Sequence, residues 1–377
     1  MKHRVDVLNF CLIWISLGLA LAWPFELFLF SYIILGPLHY LTEINWLDKQ
    51  NYFLRPPDRK FFIGAMIVIV ALLAVCTFLP EFDQWRLTRP IHDAVYGGGA
   101  GGAAVARALR GGYLLVLVAF VMSTAWVLTD RWIWRSVVML FCLLSCFVFY
   151  RMPTMAILLG VLVPTIVHVF FFTILFMLFG SVKARSAWGY VNVACMFLAL
   201  AVIVFWQPAT ELHLSRPVIE LTILSEFDKV NLAINRLLGF VGSGPVNPNA
   251  PAFLKMQSFI AFAYTYHYLN WFSKTSIIRW HQVSKTKLGF SVALWASSVG
   301  LFAVDYRLGF AASFALSALH IFLEFPLNYV SVDGMARALV GKVKSGGTSA
   351  GPGAAVRKRH ASSAAGGAVR RADLVES

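Results

Sequence analysis

From Phe61 to Leu79 the chain runs for 19 residues, FFIGAMIVIVALLAVCTFL, without one charged or amide side chain. As a helix rising about 1.5 Å per residue, such a run spans the hydrocarbon core of a bilayer, roughly 30 Å. A transmembrane β-strand would instead alternate polarity over about ten residues, and this segment does not alternate. Comparable runs recur along the 377-residue sequence, which is 59% hydrophobic and 13% charged with a mean hydropathy of +0.71. That balance excludes a water-soluble globular protein, whose composition is near half apolar and a quarter charged. The expected fold class is all-α: a polytopic membrane helix bundle of about ten transmembrane helices.

With Pro, Gly and charges as punctuation, the spans fall near 6–23, 24–47, 60–80, 111–129, 132–150, 154–180, 187–206, 252–272, 286–303 and 307–329. An N-terminus in the cytoplasm puts 22 of the 32 Lys and Arg on the cytoplasmic side, which sets both termini inside a bacterial plasma membrane. The net charge of +14 then reflects that bias and calls for no nucleic-acid partner. Ala20-Leu21-Ala22 also ends the first segment in the manner of a signal-peptide cleavage site, which would leave later helices oriented as before. The five cysteines all lie in apolar runs, as small packing residues do.

The transmembrane domain is expected over 1–335, with outer loops at about 81–110 and 207–251. Within them, the low-complexity stretch 97–112 reads as a flexible connection, and 226–240 as a short amphipathic helix on the outer surface. Residues 336–377, rich in Ala, Gly, Ser and Arg, read as a disordered basic cytoplasmic tail.

His3, His92, His213 and His281 sit in termini or loops, whereas His39, His168, His267 and His320 sit inside apolar spans. The latter four belong to the second, sixth, eighth and tenth helices, which run in the same direction in this topology. They lie 15, 14, 15 and 13 residues after Pro24, Thr154, Ala252 and Arg307, hence within one turn of a common depth, about 20 Å from the outer surface. An unpaired polar group in hydrocarbon costs on the order of 2–7 kcal/mol, and neutral imidazole is the commonest transition-metal ligand. A ring of four therefore points to a metal, with packing histidines, haem ligation and a proton path as the competing readings.

Four neutral ligands leave a divalent charge in low dielectric, so acidic neighbours are expected. Glu43 follows His39 by four residues and Glu324 follows His320 by four, each on its histidine's helix face. Tyr264, His267 and Trp271 share a face of the eighth helix; Tyr264, Tyr266 and Trp271 are candidates to line a cavity, with Tyr264 a candidate catalytic residue beside Glu43 and Glu324. Pro37 and Pro326 break the backbone near His39 and His320, which lipid tolerates only where the backbone is buried in protein or lines a cavity.

An intramembrane ring of four histidines on an apolar helical bundle resembles the bacterial Brp/Blh family of membrane β-carotene dioxygenases. The resemblance lies in composition, span number and histidine count. It implies non-haem iron, Fe(II), on His39, His168, His267 and His320, with His281 as substitute for His168, and O2-dependent cleavage of a hydrophobic, lipid-like isoprenoid or carotenoid. The acidic residues after His39 and His320 are not matched to the family by this resemblance, and the clustered HxxH boxes of membrane desaturases are missing from the chain. The competing class is a proton- or ion-coupled transporter using the same His/Glu cluster, which predicts polar residues continuing towards the outer side. Membrane lipids are the remaining expected partners, and the oligomeric state is left open.

Overall fold

A computed structural model describes residues 2–79, 83, 89–97, 99–208, 216–224, 227–241, 250–279 and 282–344. Within them the chain is an all-α bundle without strands. The helices are α1 (Lys2–Ala22), α2 (Pro24–Phe30), α3 (Gly36–Lys49), α4 (Arg59–Phe78), α5 (Arg89–Tyr96), α6 (Gly99–Leu109), α7 (Leu114–Leu128), α8 (Trp132–Phe149), α9 (Pro153–Ile157), α10 (Thr173–Ala184), α11 (Ala187–Phe205), α12 (Arg216–Leu224), α13 (Phe227–Leu237), α14 (Pro251–Ser273), α15 (Thr275–Ile278), α16 (Lys285–Val304) and α17 (Tyr306–Lys344).

Eight helical stretches are long and apolar enough to cross a membrane, and a ninth is the pair 102–109 and 114–128, bent by 52°. The tenth expected span is α14, 23 residues long but diluted by Gln257, Ser258, three tyrosines, His267 and Asn270. Its position accounts for that composition. Almost every side chain from Phe253 to Trp271 is buried, so α14 runs through the middle of the protein and its polar groups meet protein rather than lipid. Peripheral helices show the opposite pattern: Phe141 and Phe147 of α8 are 71% and 69% exposed, as lipid-facing side chains are.

The loop expectations need two corrections. Residues 99–109 are helical, since alanine at five of these positions favours a helix more than the glycines oppose it. The amphipathic segment forms α13, but it packs Phe227, Asn231, Ile234 and Asn235 into the bundle instead of lying on its surface. The last helix, expected over 307–329, continues to Lys344, into the segment expected as a disordered tail; the remainder of that tail lies outside the described residues. All five cysteines are free thiols.

Two apolar clusters divide the interior. One joins α1, α10, α11 and α14 around Phe262, Met196 and Val169; the other joins α3, α4, α7 and α17 around Phe62, Met66 and Phe322. At the seam, α3 gives Tyr40 to the first cluster and Leu47 to the second. Two helical runs at this seam are wound wide, as π-helix, over Ser31–Leu35 and Leu158–Phe172. Pro164 lies inside the second and Pro37 stands two residues after the end of the first, so a missing N–H group lies in or beside each widened run. Beyond α3 the chain turns through Asn51, Tyr52 and Phe53, all with φ of 49–56°, a left-handed run costing about 1–2 kcal/mol per residue. Tyr52 is buried in that turn.

Candidate metal centre

The four intramembrane histidines meet at the seam. His39 Nε2 lies 3.1 Å from His267 Nε2, and His168 Nε2 lies 3.2 Å from His320 Nε2. Ring centroids close the quadrilateral: 4.7 Å for His39–His267, 5.3 Å for His267–His168, 5.0 Å for His168–His320 and 5.3 Å for His320–His39. All four are buried.

Two of the imidazoles are oriented by groups behind them. The Thr173 hydroxyl donates to the Val169 carbonyl at 2.7 Å, so its oxygen must accept from His267 Nδ1–H, also at 2.7 Å. His320 Nδ1–H donates to the Ser317 carbonyl at 2.6 Å. Both rings therefore turn an unprotonated Nε2 towards the centre, which is the tautomer a metal requires.

The carboxylates occupy different places. Glu43 Oε2 lies 3.1 Å from His39 Nε2, on the central side of that ring and without hydrogen-bond alignment. Glu324 reaches across to His168, 3.4 Å from its Nδ1, instead of pairing with His320 on its own helix. This supplies a carboxylate, which the sequence around His168, with only Thr165 and Thr173 as polar neighbours, lacks. Both carboxylates are buried, and neither has a Lys or Arg within ion-pairing distance among the described residues. Glu43 Oε2, both Glu324 oxygens, and Nδ1 of His39 and His168 make no hydrogen bond.

These are donors that could hold a cation. Around one ion with bonds of about 2.0–2.1 Å, adjacent ligand atoms lie roughly 3.0 Å apart in octahedral and 3.4 Å apart in tetrahedral geometry. The separations of 3.1 and 3.2 Å fall in that interval. Two overlapping sets have ligand atoms mutually close enough for one ion, His39–His267–His320 and His168–His320–Glu324, with His320 common to both. Two carboxylates would also cancel the charge of one divalent cation, removing the cost of an uncompensated charge in low dielectric.

An aromatic wall surrounds the ring. Tyr40 stacks on His320 at 4.4 Å and 22°, and its hydroxyl bonds that of Tyr268 at 2.6 Å. Tyr268 and Trp271 lie 5.1 and 5.5 Å from His39, and Trp271 Nε1–H donates to Thr42 Oγ1 at 3.0 Å. Tyr264 is one layer further out, packed on Phe28 at 5.3 Å and on Tyr268 at 6.0 Å. Tyr266 turns away to Asn9 and Met177, because adjacent helical residues differ by about 100°. His281 lies outside the described residues. The sequence alone does not assign Tyr40, Tyr268, Thr173 or Ser317 to the site; Tyr268 reads there as part of an interfacial aromatic belt. The i+1 position after each of His39 and His267 is tyrosine, a signal that was available; the Ser317 carbonyl carries none.

Comparison with protein-family models, with curated proteins and with solved structures finds no match for this chain.

Proposed function

We propose that the chain is a membrane-embedded, metal-dependent oxygenase that holds iron on His39, His168, His267 and His320 and acts on an apolar lipid, isoprenoid or carotenoid. The observation that carries this reading is the convergence of four buried imidazoles, two of them turned to present Nε2 lone pairs to one point. When bound, a ferrous ion with open coordination positions would supply activation of O2. The protein's own part is to hold the ligands. Thr173 and the Ser317 carbonyl keep two rings in register, Glu43 contributes charge at the ligand side of His39, and Glu324 faces the outer nitrogen of His168. Tyr40, Tyr268 and Trp271 keep bulk water from the centre and offer flat apolar faces against which a polyene or acyl chain can lie. Burial in the bilayer core suits a substrate that arrives from lipid, and the basic loops favour cytoplasmic termini in a bacterial plasma membrane. This agrees with what the resemblance to the Brp/Blh family implies.

The test is metal analysis of protein purified in mild detergent, followed by anaerobic Fe(II) loading and O2 addition in the presence of β-carotene. About one metal per chain and loss of the polyene absorbance, both abolished in His267→Ala and His320→Ala, are expected. A wild type that binds no transition metal overturns the reading. The transport alternative draws on Gln257, Asn231 and Asn235, which are buried and hydrogen-bonded to one another beyond the aromatic wall. It predicts proton flux in liposomes that needs no metal and is lost in Glu43→Gln.

A further inference from the structure

The histidine ring is not flanked alike on its two sides. Towards the N-terminal ends of α3 and α14, aromatic rings close the interior: Phe28 against Tyr264 at 5.3 Å, and Tyr32 against Phe227 at 4.9 Å. On that side Ser31 and Thr265 bond each other at 2.7 Å and Asn231 bonds Gln257 and Asn235, which leaves only the single atoms Ser258 Oγ and Asn235 Oδ1 without partners among these side chains. Towards the C-terminal end of α17 the interior is polar and unsatisfied. His320, Glu324 and Asn328 follow at i, i+4 and i+8, a stripe drifting about 40° per step. Asn328 is only 1% exposed, yet neither its Oδ1 nor its Nδ2 has a partner. Both oxygens of Glu324 are equally without hydrogen bonds, as is Oδ1 of Asn270, three residues beyond His267 on α14. Pro326, between Glu324 and Asn328, lacks the N–H that would otherwise bond the Phe322 carbonyl.

A buried amide with no partner costs about 1–3 kcal/mol. An apolar residue at 328 would avoid that cost, so helix packing does not account for this asparagine. Nor does ligation, since Asn328 lies two turns below His320. Water, or a cation still carrying part of its water shell, would satisfy the Glu324 and Asn328 groups, which follow one another on the same stripe of α17. Amide and carboxylate oxygens suit such a hydrated divalent ion, whereas the imidazoles bind it after water is lost.

We propose that Asn328 and Glu324 form a hydrated subsite through which the divalent ion reaches the histidine ring from the C-terminal end of α17, the end that the basic loops place in the cytoplasm. The inference rests on the metal reading above. In it Asn328 exchanges water for the entering ion's shell, Glu324 offsets its charge, and the ion then passes to His168 and His320, from which Glu324 is already within ligand spacing.

The test uses the full chain in detergent, stripped by chelator and mixed with Co(II), whose visible spectrum reports its ligands. Asn328→Leu is expected to slow uptake at least tenfold while leaving final occupancy and spectrum unchanged. Asn328→Asp, which adds charge at the same place, is expected to load faster than wild type. Thr265→Val, on the other side of the ring, should load at the wild-type rate. Normal wild-type uptake with an unchanged rate in Asn328→Leu overturns the route alone, as does slowing by Thr265→Val. Should the leucine variant not fold, an Asn328→Asp protein that loads no faster than wild type overturns it by itself. A wild type that takes up no Co(II) overturns the route and the metal reading together.

Discussion

Thr173 Oγ1 and His267 Nδ1 lie 2.7 Å apart, and because the same hydroxyl donates to Val169, the imidazole must be the donor in that bond. One hydroxyl thus fixes which nitrogen of His267 faces the other histidines. Thr173→Val keeps the shape and the β-branch but removes the acceptor. Partners of this kind are worth about 10–100-fold in metal affinity. That loss is expected for Thr173→Val in a chelator-competition titration, with Thr173→Ser close to wild type. Equal affinity in the valine variant would remove Thr173 from the site.

Glu43 and Glu324 are buried carboxylates without basic partners among the described residues, so they should act with opposite signs on the empty and the loaded protein. Removing an uncompensated buried charge stabilises, whereas removing the counter-charge of a bound cation weakens binding. Glu43→Gln and Glu324→Gln are therefore expected to raise the unfolding midpoint of chelator-treated protein and to lower metal affinity. Glu43→Gln should cost more affinity, since its oxygen lies 3.1 Å from His39 Nε2, the nitrogen turned towards the other imidazoles. Thermal unfolding in detergent with and without metal measures both effects. A fall in stability of the metal-free variants would contradict the charge argument.

The histidine ring was legible because four polar side chains in apolar runs admit few explanations and helical rise converts sequence position into depth. His39, His168, His267 and His320 could be aligned without knowing which helices touch. What one helix cannot report is a partner on another. Glu324 shares a face with His320, and the i, i+4 rule pairs them, yet its carboxylate crosses to His168. That crossing depends on how α17 packs against the wide-turned segment carrying His168, and π-helical winding over 15 residues leaves no clear mark in an apolar sequence. Tyr264 was singled out by its spacing to His267, whereas Tyr268, adjacent in sequence, is the residue that reaches His39. Helix α14 was found as a span by length, although its composition becomes intelligible only once it is seen enclosed by the others.

Gly36 lies directly against the aromatic wall. A Cβ there would sit 2.9 Å from the Tyr40 hydroxyl and 3.2 Å from that of Tyr268. These hydroxyls are bonded to each other, and Tyr40 lies flat on His320, so they cannot yield without moving that ring. Gly36→Ala is expected to lower stability by about 1–3 kcal/mol, the usual cost of overpacking. Combining it with Tyr40→Phe, which deletes the crowded oxygen, should recover part of the loss, and a double-mutant cycle measures the coupling. Additive losses would mean that alanine is accommodated elsewhere.

Arg135 provides a contrasting case, a buried charge that is fully partnered and remote from the histidines in the fold. Its guanidinium donates twice to Asp58 at 2.8 Å, its Nε–H donates to the Thr129 carbonyl at 2.9 Å, and it lies 4.6 Å from the Trp126 ring and 5.4 Å from that of Trp132. These contacts fasten the turn before α4 to the α7–α8 connection. Lysine cannot reproduce the paired donors or the flat stacking, so Arg135→Lys is not conservative here. Arg135→Met leaves Asp58 without its counter-charge and is expected to cost about 3–5 kcal/mol, the range for breaking a buried pair. Adding Asp58→Asn should return part of that loss, because the stranded charge goes with it. Metal stoichiometry and affinity of whatever folds should equal wild type in each variant. Unfolding midpoints and metal titrations in the same detergent separate the two properties; a change in metal affinity for Arg135→Met would show that the α4–α7–α8 side of the bundle is coupled to the histidine ring.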